Sequence, residues 1–143
     1  MPPPVEIRLL GPGDEPAVLA APELFDHPPT PEATRRFLAD RIHHLFFAFD
    51  PGGRAVGFVS GVETTHPDKG TEMFLYELSV AEPARRRGIA TALVAALEAL
   101  ARERGCYGMW TGTEDDNVAA RRTYARAGAS ESPAGITLDW RFA

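Results

Sequence analysis

The sequence has little that would hold a metal ion, form a disulfide or cross a membrane. Among its 143 residues there is one cysteine, Cys106, so no internal disulfide can form, and a single thiol suits the reducing cytoplasm. The four histidines and this cysteine do not cluster at metal-ligand spacing, so we expect no metal site. No apolar run approaches the length of about 20 residues that spans a bilayer, so we expect no membrane partner. Residues 1–5 lack the basic and apolar regions of a signal peptide, which predicts a cytoplasmic protein.

The charge balance argues against a nucleic-acid partner. The 20 acidic and 15 basic residues leave a net charge of −5, which repels phosphate although three arginines follow one another at 85–87. The length is that of one ordinary domain, and a hydrophobic fraction of 44% is enough for a core. We therefore predict a single domain over residues 1–143. The oligomeric state is left open, a homodimer included.

The most informative stretch of the sequence runs from residue 73 to residue 104. Residues 73–80 are rich in aromatic and branched side chains, which predicts a β-strand that ends before Pro83. An arginine-rich turn follows, with the small residues Gly88 and Ala90 at the start of a helix. The helix is amphipathic, because apolar residues recur with a period of 3.6; they are Ile89, Leu93, Ala96, Leu97 and Leu100.

A strand, a basic glycine-containing turn and a helix together predict an anion site. The N–H groups of the turn and of the first helical residues lack intrahelical partners, and the positive end of the helix dipole lies among them. A pyrophosphate suits this site, because Gly88 and Ala90 would let it approach the backbone. Arg85, Arg86 and Arg87 would add positive charge at the rim. The structural alternative is a solvated basic turn in an ordinary strand–helix unit.

The pattern Arg85-x-x-Gly88-x-Ala90 after a strand resembles the acetyl-CoA pyrophosphate loop of the GNAT superfamily of N-acetyltransferases. Two other nucleotide-binding patterns, G-x-G-x-x-G and G-x-x-x-x-G-K-[ST], are absent. The resemblance implies acetyl-CoA as the cosubstrate. It assigns cofactor contacts to the end of the strand and to the loop, at Leu78, Val80, Arg85, Arg86, Arg87, Gly88, Ile89, Ala90 and Thr91.

A second motif lies in a predicted helix from about residue 117 to residue 127. Asn117, Ala120 and Tyr124 share one helical face and resemble the Asn-x-x-Ala-x-x-x-Tyr pattern of GNAT enzymes. The resemblance implies that Asn117 binds the pantetheine or phosphate region of CoA. It also places Tyr124 at the cofactor, as the general acid that protonates the departing thiolate. The structural alternatives are a helix cap for Asn117 and an aromatic anchor for Tyr124.

The whole chain predicts the element order β-α-α-β-β-β-α-β-α-β, which is similar to that of the GNAT fold. This is an α/β (α+β) fold, with a mixed, mostly antiparallel sheet flanked by about four helices. Asp14 and Thr30 are expected to cap the first two helices, and the proline-rich residues 22–31 are expected to form a mobile loop. Residues 64–71 are predicted to be a loop, and residues 129–135 a poor strand. The expected strands cover residues 5–9, 45–49, 55–62, 73–80, 107–111 and 136–142.

The attacking amine must be neutral, so some group must take its proton. The candidates are the histidines and the carboxylates of Glu63, Glu72 and Glu77. Glu77 is the strongest, because an unpaired carboxylate in an apolar strand has a raised pKa and can act as a base near neutrality. The alternative is an exposed or arginine-paired Glu77. The histidines are expected at the surface or at helix ends, and Cys106 as a small buried residue at a strand start.

A narrower resemblance surrounds Glu77. Residues 76–80 and 85–93 are similar to the aminoglycoside 3-N-acetyltransferase branch, which has an aspartate at the position of Glu77, although the second motif departs from that branch. The likeness implies a cationic amine acceptor, with an aminoglycoside as its sharpest version. We predict an enzyme that transfers an acetyl or short acyl group from acetyl-CoA to a primary amine. The alternative is a non-catalytic GNAT-like module that binds acyl-CoA or joins a complex.

Overall fold

The computed structural model describes residues 4–132 and 135–142. One mixed sheet runs through it in the order β1-β2-β3-β4-β5. The first four strands are antiparallel neighbours, and β5 joins the edge of β4 in parallel. This agrees with the mixed, mostly antiparallel sheet expected from the sequence. The strands are β1 (Glu6–Leu9), β2 (His43–Phe49), β3 (Ala55–His66), β4 (Gly70–Val80) and β5 (Met109–Trp110).

Four α-helices in the described part of the chain flank the sheet, and their ends show which capping predictions are correct. Thr30 caps α2 as predicted, since its hydroxyl oxygen accepts a hydrogen bond of 3.2 Å from the N–H of Ala33. Asp14 precedes α1 but does not cap it, because its carboxylate accepts from the N–H of Gly11 at 2.8 Å instead. The helices are α1 (Glu15–Leu19), α2 (Pro31–Ala39), α3 (Ile89–Glu103) and α4 (Val118–Arg126).

The two faces of the sheet bury separate apolar clusters. The long helix α3 covers one face, which we call the α3 face, and packs so closely that a Cβ on Gly61 would lie 2.9 Å from Leu97 Cδ1. The opposite face, which we call the α1/α2 face, is covered at one end by α1, α2 and the segment between them. The α1/α2 cluster is aromatic, with Phe47 and Phe58 fully buried at its centre. The hydrophobic core therefore consists of two clusters, one packed on each face of the sheet.

Two of the predicted loops are ordered differently from expectation. Residues 64–71 form the end of the β3–β4 hairpin rather than a loop, with the hydroxyl oxygens of Thr65 and Thr71 at 2.8 Å across the strands. The polar residues there are strand residues on an exposed hairpin. The proline-rich segment is also anchored, because Leu24 is buried and Phe25 stacks on Phe58 at a centroid distance of 4.4 Å. Its prolines lie beside apolar anchors that the composition does not reveal.

The predicted last strand is wrong. Residues 135–142 have no regular secondary structure, although their apolar side chains alternate as in a strand. Alternation makes a strand only where a sheet edge supplies backbone partners, and no described strand pairs with this segment. The expected weak strand at 129–135 agrees with the irregular conformation of residues 129–132, and residues 133–134 lie outside the described residues. The alternating apolar side chains are all exposed; they are Ile136, Leu138, Trp140 and Phe142.

Candidate functional site

The predicted cofactor loop joins the end of β4 to the start of α3. Gly88 immediately precedes α3 and has φ of +77°, a left-handed conformation that glycine adopts without strain. A Cβ at this position would meet no atom within 4 Å, so the space in front of the helix is open. No side chain within the described ranges caps α3 at this end. The first N–H groups of α3 are therefore left for another acceptor, as the sequence pattern predicts.

The arginines of the loop are divided between two roles. The side chain of Arg85 is turned back to the strand, where its Nε donates a hydrogen bond of 2.9 Å to the carbonyl oxygen of Val80. Arg86 has φ of +66°, a conformation uncommon for a residue with a side chain, which marks a specific loop geometry. Arg86 and Arg87 are exposed beside the start of α3. Their charges can screen an anion there, while Arg85 holds the loop to the strand.

The other predicted cofactor contacts lie at the first turn of α3 and at the end of β4. Ile89 is buried in the core, so it can offer a ligand its backbone N–H and not its side chain. Ala90 and Thr91 are partly exposed in the first turn of the helix. Leu78 and Val80 are partly buried against the α3 cluster. The loop residues and the strand end are thus brought together as expected.

The strand β4 is paired on both edges for only part of its length. Two residues of β4 pair with β5, and Phe74, opposite Trp110, is the second of them. One further contact follows, a hydrogen bond of 2.9 Å from the Thr111 hydroxyl to the carbonyl oxygen of Leu75. Beyond that point the edge of β4 at residues 76–80 has no strand partner in the described part of the chain. This open edge leads from the β5 pairing to the cofactor loop.

A β-bulge in β4 turns Glu77 towards the α1/α2 face. Ser60 of β3 lies opposite Glu77 while Gly61 lies opposite Leu75, so Tyr76 is an extra residue in β4. Leu75 belongs to the α3 cluster before the bulge, and Leu78 packs against it afterwards. The alternation of side chains therefore shifts by one residue, and Glu77 falls on the opposite face. No pattern in the sequence of β4 marks this bulge.

Glu77 is partly buried and has no hydrogen bond or ion pair with any described residue. Burial raises the pKa of its carboxyl group above the ordinary value, and the charge of Asp26 raises it further. The direction is the one predicted for this residue. The nearby Asp26 was not expected, because it lies in the proline-rich segment whose ordered course the sequence does not reveal. Its position directly after Phe25, which stacks on the core, is the only signal that could have placed it.

The second motif lies on the α3 side of the sheet. Asn117 caps α4, because its side-chain oxygen accepts a hydrogen bond of 3.0 Å from the N–H of Ala120. Tyr124 packs against the α3 cluster, and burial raises the pKa of its phenol while the nearby hydroxyl of Thr111 opposes the rise. Thr111 in turn bonds to Leu75, at the start of the open edge. Asn117 is therefore a helix cap and Tyr124 an aromatic anchor, as the structural alternatives had it, and Tyr124 also lies near the open edge.

Glu63, one of the candidate bases, is tied into a buried ionic cluster. Its Oε2 lies 2.6 Å from Nε2 of His44 and accepts a hydrogen bond of 2.6 Å from Nε of Arg104. Burial would raise the pKa of Glu63, but the hydrogen bonds from His44 and Arg104 outweigh it and lower the pKa. Glu63 is thus a structural carboxylate on the α3 face. The expectation that the histidines are at the surface or at helix ends is wrong for His44, which is buried on β2.

Glu72 is also engaged and does not serve as a free base. Its carboxylate accepts hydrogen bonds from the hydroxyl of Tyr107 at 2.6 Å and from Nε1 of Trp110 at 3.2 Å. The bond from Tyr107 is the largest cause of the lowered pKa of Glu72, followed by that from His66. Of the three candidate carboxylates, Glu77 alone keeps both an unpaired side chain and a raised pKa.

The geometry sets a phenol and a carboxylate on opposite faces of the sheet, beside the same open edge. Tyr124 lies near Thr111, whose hydroxyl donates to Leu75 at the start of this edge, and Glu77 lies two residues further along β4. A molecule lying along the edge would have a proton donor on one side and a proton acceptor on the other. This arrangement can support transfer of an acyl group, with one proton taken and one given.

Neither a metal-binding cluster nor a membrane-spanning helix is present in the described residues. They contain no group of three or more His, Cys, Asp or Glu side chains that could hold a metal ion. None of their helices is long and apolar enough to cross a membrane. Cys106 is partly buried three residues before β5, and burial raises the pKa of its thiol.

Comparison with known proteins identifies the family. The sequence profile described as "Acetyltransferase (GNAT) family" matches residues 16–129. The chain belongs to this family of acetyltransferases. The match spans both predicted motifs, from the first turn of α1 to three residues past the end of α4, and confirms the expected family, the mixed fold and an acetyltransferase. No curated protein matched the chain.

Solved structures of similar fold include several aminoglycoside acetyltransferases. One, HMB0005 from an uncultured soil metagenomic sample, is 24% identical with a TM-score of 0.80, covering 96% of this chain and 99% of its own. AAC(6')-Iy, in complex with the bisubstrate analogue CoA-S-monomethyl-acetylneamine, is 21% identical with a TM-score of 0.83, covering 96% and 99%. A ribosomal-protein-alanine N-acetyltransferase from Brucella melitensis biovar Abortus 2308 is 23% identical with a TM-score of 0.73, covering 96% and 100%. At these identities the likeness shows the fold.

Proposed function

We propose that this GNAT chain transfers an acetyl or short acyl group from acyl-CoA to a primary amine of a cationic small molecule. The observation that carries the proposal is the course of β4. Its open edge starts beside Tyr124, passes the unpaired Glu77 and ends at the uncapped start of α3. The proton donor, the proton acceptor and the cofactor loop thus lie in that order beside a single strand.

The chain's residues divide the work of holding the cosubstrate. The first N–H groups of α3, at Ile89, Ala90 and Thr91, would bind the pyrophosphate, with Arg86 and Arg87 adding positive charge. Gly88 leaves the space for its approach. The backbone at Leu78 and Val80 would bind the pantetheine arm along the open edge. The side-chain oxygen of Asn117 caps α4, and its side-chain NH2 group would bind the arm or a phosphate. Acetyl-CoA itself supplies an activated thioester carbonyl.

Glu77 and Tyr124 would handle the two protons of the reaction. Glu77 takes a proton from the acceptor's ammonium group, and the neutral nitrogen then attacks the thioester carbon. The N–H groups of the β4 edge stabilise the oxyanion that forms. As the carbon–sulfur bond breaks, Tyr124 gives its phenolic proton to the departing sulfur. The new amide nitrogen then loses its second proton to the phenolate of Tyr124, directly or through water, which restores the phenol, and Glu77 gives the proton that it took to the solvent. A phenol with a raised pKa remains protonated at neutral pH, and so remains able to donate.

The carboxylates beside the open edge support a cationic acceptor. Asp26 and Glu77 are close enough for the charge of one to affect the other, and neither forms an ion pair with a described residue. A cation entering this site would relieve their repulsion, and the net charge of −5 would favour its approach. Aminoglycoside acetyltransferases of the same fold, one solved in complex with sisomicin, favour an aminoglycoside. A polyamine, an amino acid and a peptide amine are milder versions of the same chemistry.

A thiol-release assay tests the proposal. Acetyl-CoA would be offered with aminoglycosides, polyamines, and neutral and anionic amines at two salt concentrations. We expect turnover on the cationic amines that falls with added salt, because salt screens the attraction of the carboxylates. A preference for neutral or anionic amines would contradict the acceptor class. Binding of acetyl-CoA without release of thiol for any amine would favour the non-catalytic module instead.

Three further features of the protein belong to this proposal. All the elements of the site are built around one sheet, which supports a single domain over residues 1–143. The single cysteine supports a cytoplasmic location. A homodimer remains a prediction that sedimentation of the purified protein would test.

A further inference from the structure

Three aromatic side chains, two of them exposed and one partly buried, lie on the α1/α2 face next to Glu77. Phe74 alternates with Leu75 of the α3 cluster and so points to the opposite face, where its ring centroid lies 4.4 Å from that of Trp110 and 6.0 Å from that of Tyr76. Tyr76 is 67% exposed and Trp110 is 53% exposed. We call Phe74, Tyr76 and Trp110 the aromatic shelf. Its rings form one continuous surface that no described element covers.

A hydrogen-bond network at one end holds the shelf in place. Glu72 accepts from Nε1 of Trp110 at 3.2 Å and from the hydroxyl of Tyr107 at 2.6 Å, and His66 lies 3.3 Å away on the same carboxylate. These bonds lower the pKa of Glu72, with Tyr107 as the largest cause, so the carboxylate is charged at neutral pH. An indole fixed in this way keeps its ring face open to solvent. Rings ordered before binding lose little entropy when a ligand arrives.

We propose that the aromatic shelf binds a ring of a multi-ring cationic acceptor while one of its amines lies at Glu77. The inference rests on the proposed acetyl transfer and deepens it by naming the surface that would hold a second ring of an acceptor with several charged rings. The faces of Trp110 and Tyr76 attract cations, and a carboxylate bonded to the indole N–H increases the negative charge of that ring. The shelf continues directly into the reaction site, since Tyr76 precedes Glu77 in β4.

The length of the site favours such an acceptor over a small amine. Glu77 lies three positions beyond Phe74 in the strand, which corresponds to about 10 Å. A single small amine at Glu77 would leave the shelf empty, whereas a molecule of two or more rings would cover both. Carboxylates flank the shelf at Glu72 and Glu77, and this charge pattern disfavours a second copy of the same acidic chain as its occupant.

Kinetics of a Trp110 variant would test the shelf. In Trp110→Ala we expect the KM for a three-ring aminoglycoside to rise at least tenfold, while kcat changes much less. The selectivity for that aminoglycoside over a small diamine, as a ratio of kcat/KM, should fall at least tenfold. Trp110→Phe should recover part of the loss, because an aromatic face remains. Trp140→Ala is the matched control, since Trp140 is 76% exposed in the irregular segment at residues 135–142 and belongs to no part of the site.

Fluorescence gives a readout that does not depend on turnover. The chain has two tryptophans, so Trp140→Phe leaves Trp110 as the only indole. Titration with the aminoglycoside should change its emission in a saturable way, and a simple diamine should not. If the enzyme acetylates aminoglycosides but neither the KM nor this emission responds, the shelf is refuted and the proposed function stands. If no amine is acetylated, the proposed function fails, and the titration still decides whether the shelf binds the cation. Loss of a dimer in Trp110→Ala would make the shelf an interface and overturn the inference.

Discussion

Glu63 and Glu77 lie on neighbouring strands of one sheet, yet their carboxylates lie on opposite faces, one hydrogen-bonded and the other unpaired. Glu63 is 8% exposed on the α3 face and has hydrogen bonds with His44 and Arg104 that lower its pKa. Glu77 lies on the α1/α2 face without a partner among the described residues, and burial together with the charge of Asp26 raises its pKa. The sequence alone treats both as carboxylates in apolar strands. The difference comes from the face on which each side chain lies.

The contrast separates a carboxylate that stabilises the fold from one that is free to exchange a proton. A group whose charged form is fully hydrogen-bonded holds its charge and resists protonation. A desolvated carboxylate near a second one is destabilised when charged, which makes it a better base and a better site for a cation. The same physical terms therefore predict opposite outcomes for removing the charge at the two positions.

The largest expected effect follows from Glu77→Gln, which keeps the shape and removes the base. Turnover should fall by roughly 10³-fold, within the range for loss of a general base. The wild-type rate should fall as the pH drops through the raised pKa of Glu77, because the base must be deprotonated, and this acid limb should vanish in the variant. Stability should not fall, since a raised pKa in the folded state means that the charged form is penalised at neutral pH. Steady-state rates against pH and a thermal melt measure both; wild-type turnover in the variant would remove Glu77 from the mechanism.

Tyr124→Phe tests the opposite side of the open edge. Turnover should fall by roughly 10²-fold with little change in acetyl-CoA affinity, because the ring packing is kept and only the proton donor is removed. The active form of the phenol is neutral, so the wild-type rate should decline at alkaline pH as Tyr124 ionises at its raised pKa. That decline should be missing in the variant. Rate measurements and calorimetry with acetyl-CoA check both points, and an unchanged kcat would leave Tyr124 as an aromatic anchor only.

Glu63→Gln should act on stability. Removing the charge leaves Arg104 and His44 without their carboxylate, which should lower the free energy of unfolding by about 2–3 kcal/mol, less than for a fully buried pair because Arg104 is partly exposed. Because the folded state lowers the pKa of Glu63, the charged carboxylate stabilises the fold at pH values above its unfolded-state pKa. This stabilisation is lost as the pH falls through the folded-state pKa. Wild-type stability should therefore decline in acid more steeply than that of the variant. Denaturant melts at several pH values would show this.

The matched control is Glu98→Gln, which breaks a surface pair with Arg102 on the exposed side of α3. A pair of this kind contributes only about 0.3–0.5 kcal/mol. If both variants lost the same free energy of unfolding, Glu63 would be no more important to the fold than a solvated carboxylate. The contrast between a structural Glu63 and a reactive Glu77 would then no longer hold. Neither variant is expected to remove turnover at a temperature where the protein is folded.

Local patterns in the sequence predicted local structure well. The period of 3.6 in residues 89–104 predicted α3, and Thr30 followed by a proline predicted the start of α2. The glycine before α3 predicted an open, uncapped helix start, which the structure has. Each of these features depends on residues within one or two turns of one another. The raised pKa of Glu77 was also predicted, because an apolar strand on both sides of a carboxylate is visible in the sequence.

The features that the sequence missed depend on distant pairing. The bulge at Tyr76 arises from the register between β3 and β4, and nothing within β4 marks it. Asp26 approaches Glu77 only because Phe25 packs on the core from a segment that is rich in proline. The alternation in residues 136–142 predicted a strand, yet a strand also needs an edge that pairs with it. The roles given to Glu77 and Tyr124 remain predictions until the variants are measured.

The two ends of α3 give the most closely matched comparison and the smallest expected effect. Backbone groups at one end are open to a ligand, and those at the other end are hydrogen-bonded within the chain. Gly88 and Gly105 flank the same helix with φ of +77° and +80°, and a Cβ at either would meet no atom within 4 Å. At the C-terminal end the backbone is engaged, since the N–H of Cys106 donates to the carbonyl oxygen of Ala101 at 2.9 Å. At the N-terminal end no described side chain caps the helix. Gly88→Ala and Gly105→Ala should therefore cost similar stability, about 1–2 kcal/mol for a left-handed alanine.

Only Gly88→Ala should weaken binding of acetyl-CoA. A methyl group at Gly88 would occupy the space through which a pyrophosphate approaches the first N–H groups of α3, and we expect the affinity to fall about tenfold, or 1.4 kcal/mol. Isothermal calorimetry with acetyl-CoA on both folded variants gives the comparison, and thermal melts confirm that the strain is matched. Equal affinities for Gly88→Ala and Gly105→Ala would move the pyrophosphate away from this loop. A loss in both variants would instead trace the effect to strain in α3, because Gly105 lies at the far end of the helix from the proposed site.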